Sequence, residues 1–232
     1  MADYDFYYWP LPFRGQFIRA ILAYAGKDWT ENDSGAIAKL MEKEPRDQPV
    51  PFMGPPVLVD TASGFALSQM PAIALYLGDT LGLMPDSAEG RAVTAKIVND
   101  ANDVIDEITL DGGREMWTAE TWEEFVPRLR RWMGFWEAIA AKRGLTAGDG
   151  FLLGTDEAGV ADIVTAVLWT TMADRFASIA KMLEQTAPLT SALAKRMHEV
   201  PALAALKAKA FEQYGDGYCG GEIEKSLRAV AN

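Results

Sequence analysis

With 232 residues, 49% of them apolar, the chain is long enough for one large or two small domains with a substantial buried core. Its 33 acidic residues against 22 basic ones give a formal charge of −11, which excludes the basic surface that a nucleic-acid backbone needs. A single cysteine, Cys219, excludes an intramolecular disulfide, and a single histidine, His198, leaves little for a histidine metal site or a Ser-His-Asp triad. No stretch reaches the roughly 18 apolar residues of a membrane span, and the N-terminus carries no basic, apolar leader. The expected location is the cytoplasm, with no membrane and no nucleic acid as partners.

Along residues 3–9, Tyr4, Phe6 and Tyr8 alternate with Asp5, Tyr7 and Trp9, a pattern that suits a buried strand. Pro10 and Pro12 end it. A helix is expected over 14–25, with Phe17, Ile18, Ile21, Leu22 and Ala25 on one stripe and Gly26 as its stop. Residues 29–32 suit a short second strand, and 36–43 carry a weak helical pattern. Pro49, Pro51 and Pro55 make 47–55 an irregular loop.

Val57, Leu58 and Val59 then form a strand, residues 60–64 a turn, and 65–67 a second strand. A helix is expected to start at Pro71 and to carry Ile73, Tyr76, Leu77 and Leu81. The Pro55–Pro56 bond has two readings. A cis bond would turn the chain sharply and leave the Pro55 carbonyl outward for an extended ligand, and the alternative is an ordinary trans turn. At the helix start, Met70 stands where a capping side chain is expected and cannot accept the free N–H groups. That start either attracts an anion or is capped by water or Ser68. The order strand-helix-strand-helix-strand-strand-helix is an α/β layout that ends near residue 81.

Residues 82–87 read as a linker. Beyond them the pattern is helical only. Ile97, Val98, Ala101, Val104, Ile105 and Ile108 form one stripe. Val126, Leu129, Trp132, Met133, Trp136 and Ile139 form a second, and Val160, Ile163, Val164, Val167 and Leu168 a third. Such stripes are core positions and need no cofactor to explain them. Short helices are expected over 189–199 and 202–214, and the glycine-rich run 214–221 as irregular chain.

Three short stretches, Pro56-Val57-Leu58, Gln69-Met70-Pro71-Ala72-Ile73 and Tyr76-Leu77, together resemble the glutathione-binding core of the glutathione S-transferases. Gly154 through Gly159-Val160-Ala161-Asp162 resembles the family's helix-capping motif, with Gly159 where the family has Ser or Thr. The resemblance implies a thioredoxin-like α/β domain over 1–81 followed by an all-helical domain over 88–232. It also implies a homodimer and glutathione as co-substrate, without a metal.

For the chemistry, the resemblance is to tyrosine-type members, the mu-, pi- and sigma-like ones. A free thiol ionises near pKa 8.5, and lowering that by ~2 units takes ~2.7 kcal/mol, about the size of one charge-assisted hydrogen bond. Tyr4, Tyr7 and Tyr8 could each supply it. The family register selects Tyr8, with Trp9 after it and Arg19 on the next helix. In that register the family's turn glycine falls on Phe13, and the nearest glycine is Gly15.

By the same resemblance, Arg14 meets the carboxylates of the tripeptide and Pro55, beside the motif residue Pro56, offers its carbonyl to the cysteinyl backbone. Gln69 and the Met70 amide hold the γ-glutamyl end, without the hydroxyl of the family's serine. Asp100 reaches into a neighbouring subunit's site, and Lys43 or Arg46 holds the glycyl carboxylate. Cys219, with no basic neighbour, reads as a bystander. Two rival readings remain on the same scaffold: a non-catalytic binding or structural protein, and a glutathione-dependent peroxidase or isomerase.

Overall fold

The computed structural model describes residues 2–232. The first part contains β1 (Tyr4–Tyr7), α1 (Phe13–Tyr24), β2 (Trp29–Asn32), α2 (Ser34–Met41), β3 (Val57–Asp60), β4 (Ala66–Ser68) and α3 (Met70–Thr80). The strands form one sheet in the order β2-β1-β3-β4, with β1 parallel to β2 and antiparallel to β3, and β3 antiparallel to β4. Phe6, Val57 and Leu58 are buried in it, and α1 packs against α3 beside it. This is the layout the apolar alternation of residues 3–9 and the hairpin over 57–67 call for.

The rest is helical: α4 (Ala88–Ile108), a single irregular turn α5 (Leu110–Gly113), α6 (Ala119–Lys142), α7 (Val160–Ala173), α8 (Ala177–Thr186), α9 (Pro188–Met197), α10 (Pro201–Tyr214) and α11 (Gly221–Ala231). At the centre runs α7, buried on every side from Val160 to Met172, because its sequence is apolar all round. It packs on α4, α8 and α9 and also on α1, so one apolar core runs through both parts. No helix of the described residues is long and apolar enough to cross a membrane.

The start of α7 explains the departure at Gly159. Asp162 accepts from the Gly159 N–H at 2.9 Å and from the Leu152 N–H at 2.7 Å, which is half of a capping box. The other half would need a side chain at 159. A Cβ there would stand 2.8 Å from the Leu83 carbonyl oxygen, which already accepts the Val160 N–H at 3.0 Å. The linker passes too close for serine or threonine, and glycine is the residue that fits.

Several boundaries differ from the sequence-based expectation. The first strand stops at Tyr7, since the chain turns away toward Pro10. α3 begins at Met70 with Gln69 as its cap residue, so Met70 is the first helical residue and Pro71 the second. α8 and α11 carry no element in the sequence reading, although Ile223, Leu227 and Ala231 have helical spacing and are buried.

Candidate functional site

Strand register brings the key residues to one edge. Tyr7 pairs with Val57, and Val57 pairs with Ser68. Tyr8, Pro56 and Gln69 therefore step off the same end of three adjacent strands. The Pro55–Pro56 bond is cis, the first of the two readings above. Gln69 is exposed and has φ +75°, a left-handed conformation that side chains seldom adopt. Among the described residues no side chain caps the helix that follows. Met70 is 1% exposed, and its side chain belongs to the core. Met70 thus adds no polar side chain to this helix start, which carries the positive end of the helix dipole.

Tyr8 lies one residue past β1 and is 4% exposed. Its hydroxyl oxygen accepts the backbone N–H of Arg14 at 3.1 Å. That leaves the phenol hydrogen free to point elsewhere. Burial pushes the phenol up to about 12, against the opposing pull of the Arg14 charge and amide and of Arg19. At physiological pH Tyr8 is therefore a protonated donor, already oriented by the first turn of α1.

Two residues make this approach possible. Phe13 takes φ +24°, so the position where the family has a glycine keeps a left-handed backbone with a phenylalanine side chain. Gly15 supplies the room: a Cβ there would sit 2.3 Å from Cδ1 and 2.7 Å from Cγ of the Tyr8 ring. The turn needs a left-handed residue at 13 and an absent side chain at 15, and here two residues divide those tasks.

Arg19, 3% exposed, fixes the loop between Tyr8 and α1. Its guanidinium donates to the Leu11 carbonyl at 2.8 Å and forks onto Glu31 at 2.5 and 3.1 Å. It also lies 5.4 Å from the Phe6 ring centroid and 5.7 Å from that of Tyr8. The Arg14 side chain crosses to the helical part, donating to Asn102 at 3.2 Å and Asp106 at 2.9 Å on α4. A guanidinium engaged in this way meets an incoming carboxylate only in competition with Asp106.

The remaining expected residues stand apart from this group. Asp100 pairs with Lys96 one turn earlier on α4 and lines a cavity of about 390 Å³ between α4 and α6, together with Asp103, Arg128 and Trp132. A second cavity, of about 490 Å³, lies beneath residues 82–87. Tyr8 lines neither. Lys43 and Arg46 are exposed, and Arg46 approaches Asp47 at 3.8 Å. Cys219 is partly buried, and burial with the Glu224 charge pushes its thiol up to about 12, so it is not a nucleophile near neutral pH. Among the described residues no cluster of three or more His, Cys, Asp or Glu is placed to hold a metal ion. Asn102, Asp106 and Glu31 carry no motif, and only their contacts tie them to the site.

Residues 93–230 match the family description "Glutathione S-transferase, C-terminal domain". The chain belongs to the glutathione S-transferase family. It is 29% identical over 192 residues to the "Probable glutathione S-transferase 7" of Caenorhabditis elegans, covering 80% of this chain and 86% of that one. It is 30% identical over 148 residues to the "Probable glutathione S-transferase 6" of the same nematode, covering 61% and 68%. Among solved structures, a Nu-class transferase from Haemonchus contortus aligns with a TM-score of 0.69 at 21% identity, over 90% of this chain and 98% of that one. A transferase from the hookworm Necator americanus, described as monomeric, aligns at 0.70 and 21% identity, over 89% and 96%. The fold of this transferase-family chain is thus shared with solved members along nearly its whole length.

Proposed function

We propose that this chain is a glutathione transferase of the tyrosine type, like the mu, pi and sigma branches, in which Tyr8 holds the glutathione sulfur as a thiolate for attack on an electrophile. The observation that carries the reading is the Arg14 N–H on the Tyr8 oxygen at 3.1 Å. It orients a protonated, buried phenol and leaves its hydrogen for the sulfur. One such charge-assisted bond supplies about 1.5–3 kcal/mol, enough to bring a thiol of ordinary pKa to ionisation near neutrality.

In this reading residues 1–81 bind glutathione and 88–232 contribute the second substrate's surroundings, with a cytoplasmic, detoxifying role. The tripeptide lies along the edge at Pro55 and Pro56, with its γ-glutamyl end at Gln69 and the Met70 amide. Arg14 exchanges part of its contact with Asp106 for a ligand carboxylate, and Lys43 or Arg46 meets the glycyl end. Asp100 serves a neighbouring subunit in a homodimer. Sedimentation tests that last point, and a monomer at all accessible concentrations would remove Asp100 from the site.

The main test is ultraviolet titration of bound glutathione. Tyr8→Phe should return the thiol pKa toward its free value of about 8.5 and lower turnover of an aryl halide. An unchanged pKa would remove Tyr8 from the chemistry. Met70 favours a second reading, a protein that binds without turnover, because no hydroxyl stands at the γ-glutamyl end. Binding of glutathione without turnover of halide, enone or peroxide would select it.

A further inference from the structure

A separate cavity, of about 360 Å³, lies among α7, α8, α9 and α10. It adjoins a slot of about 10 Å³ that reaches α1, and the two meet at Thr170, Asp174, His198 and Lys207. A slot of that size has room for about one water-sized atom.

The slot is lined by buried polar groups that lack partners. Arg175, just past α7, is 8% exposed. Its Nε donates to the Gly217 carbonyl at 2.8 Å and its Nη1 to the Thr171 carbonyl at 3.2 Å. The Phe211 ring lies 4.4 Å from the guanidinium. Among the described residues Nη2 makes no hydrogen bond and no carboxylate pairs with this arginine. Its neighbour Asp174 pairs with Lys207 instead, at 2.6 Å. A buried cation without a counter-ion is costly. Thr171 is 8% exposed, and Gln16 on α1 is 7% exposed. Among the described residues neither the Thr171 hydroxyl nor the Gln16 side-chain amide makes a hydrogen bond. Three donors from two distant parts of the sequence thus converge on a space that one oxygen atom fills, and the positive charge beside it selects an anion.

The larger cavity has apolar walls, formed by Ala173, Ala180, Leu183 and Ala194. The His198 ring is already engaged, with Nε2 at 3.1 Å from Thr170 Oγ1 and Nδ1 at 3.1 Å from the Ala194 carbonyl oxygen. Ser191 also lines this space, is 5% exposed, and makes no side-chain hydrogen bond among the described residues. It lies about two turns before His198 on α9, on the order of 10 Å along the helix.

We propose that this is a binding site for a phenolic carboxylic acid, one aromatic ring with a short carboxyalkyl arm. One carboxylate oxygen enters the slot and accepts from Arg175, Thr171 and Gln16, while the other faces Lys207 at the mouth. The ring lies between the alanines and Leu183, and the phenol hydroxyl meets Ser191. The site uses none of the residues assigned to glutathione, so it stands apart from the transferase reading. Its inner wall, Pro12 and Gln16, is nonetheless the first turn of α1, the turn whose Arg14 amide holds Tyr8.

Calorimetry of the full chain with p-hydroxyphenylpropionate should give a Kd of about 0.1–1 mM. The corresponding carboxamide, which lacks the charge, should bind at least about 10-fold more weakly. Thr171→Val should weaken the acid by about 3- to 10-fold. Ser191→Ala should do the same for this acid and leave phenylpropionate, which has no phenol hydroxyl, unchanged. Neither hydroxyl holds the fold, so both variants should melt with the wild type or above it. Arg175→Gln should remove binding, and if that variant fails to fold, Thr171→Val decides alone. No heat with the acid would mean a slot that holds only water, and would overturn the site. Equal binding of acid and carboxamide, or an affinity unchanged in Thr171→Val, would do so too. Displacement of the acid by glutathione would place it at the Pro55 edge and overturn the assignment as well.

Discussion

Gly15→Ala puts one methyl group where the Tyr8 ring now lies. At 2.3 Å from Cδ1, the new Cβ is more than 1 Å inside ordinary contact, and Arg19 Nη1 at 2.9 Å blocks a second direction of escape. Overpacking of this kind costs about 1–3 kcal/mol. Alanine in a helix regains about 1 kcal/mol over glycine, so the net loss should be up to about 2 kcal/mol. For a chain of this size that lowers the melting temperature by up to about 8 °C. The control is Gly134→Ala in α6, where a Cβ meets nothing within 4 Å and φ is not left-handed. It should gain about 0.5–1 kcal/mol. Gly15→Ala should also move the phenol off the Arg14 amide and raise the pKa of bound glutathione. Paired thermal melts and ultraviolet titrations read both effects. If Gly15→Ala melts with Gly134→Ala and leaves the thiol pKa alone, the account of this turn is wrong.

Arg19→Lys removes the fork onto Glu31 and the bond to the Leu11 carbonyl together. Denaturant unfolding should show a loss of about 1–3 kcal/mol, a range kept low because Glu31 is partly solvated. At Glu224, burial alone would raise the carboxyl, but the amides of Gly220 and Tyr218 with Arg228 outweigh it and hold the group below its usual 4.5. A depressed folded-state pKa stabilises the fold above about pH 4.5, and the contribution disappears as pH falls through the folded value. Melting curves should therefore place Glu224→Gln below wild type at neutral pH, with the gap narrowing in acid. A gap constant from pH 7 down to pH 3 would sink that account.

The sheet and the larger helices were legible because their signals are local. Alternation marks residues 4–8, a proline pair and a turn mark the hairpin, and periodic stripes mark α4, α6 and α7. Tyr8, the donor proposed above, was selected through family register alone, and the helix start at residue 70 was missed by only one position. The turn at 13–15 was harder. Its needs are a left-handed backbone and an absent side chain, and motif reading expects one glycine to meet both. The slot at Arg175 was invisible for a different reason. Gln16, Thr171 and Arg175 carry no motif, and sequence spacing does not relate Gln16 on α1 to the end of α7. Likewise Asn102 and Asp106 read as the wet side of an amphipathic helix until Arg14 reaches across to them.

Arg14 has one further implication. Its amide grips the phenol while its guanidinium is anchored on the long helix α4, so a single residue is a mechanical link between the sheet-bearing part and the helical part. A shift or tilt of that helix, whether from a bulky guest or from neutral drift along its polar side, would reach the acid–base behaviour of the phenol through one rigid turn of chain. Reactivity could then be retuned by substitutions that never touch either reactant.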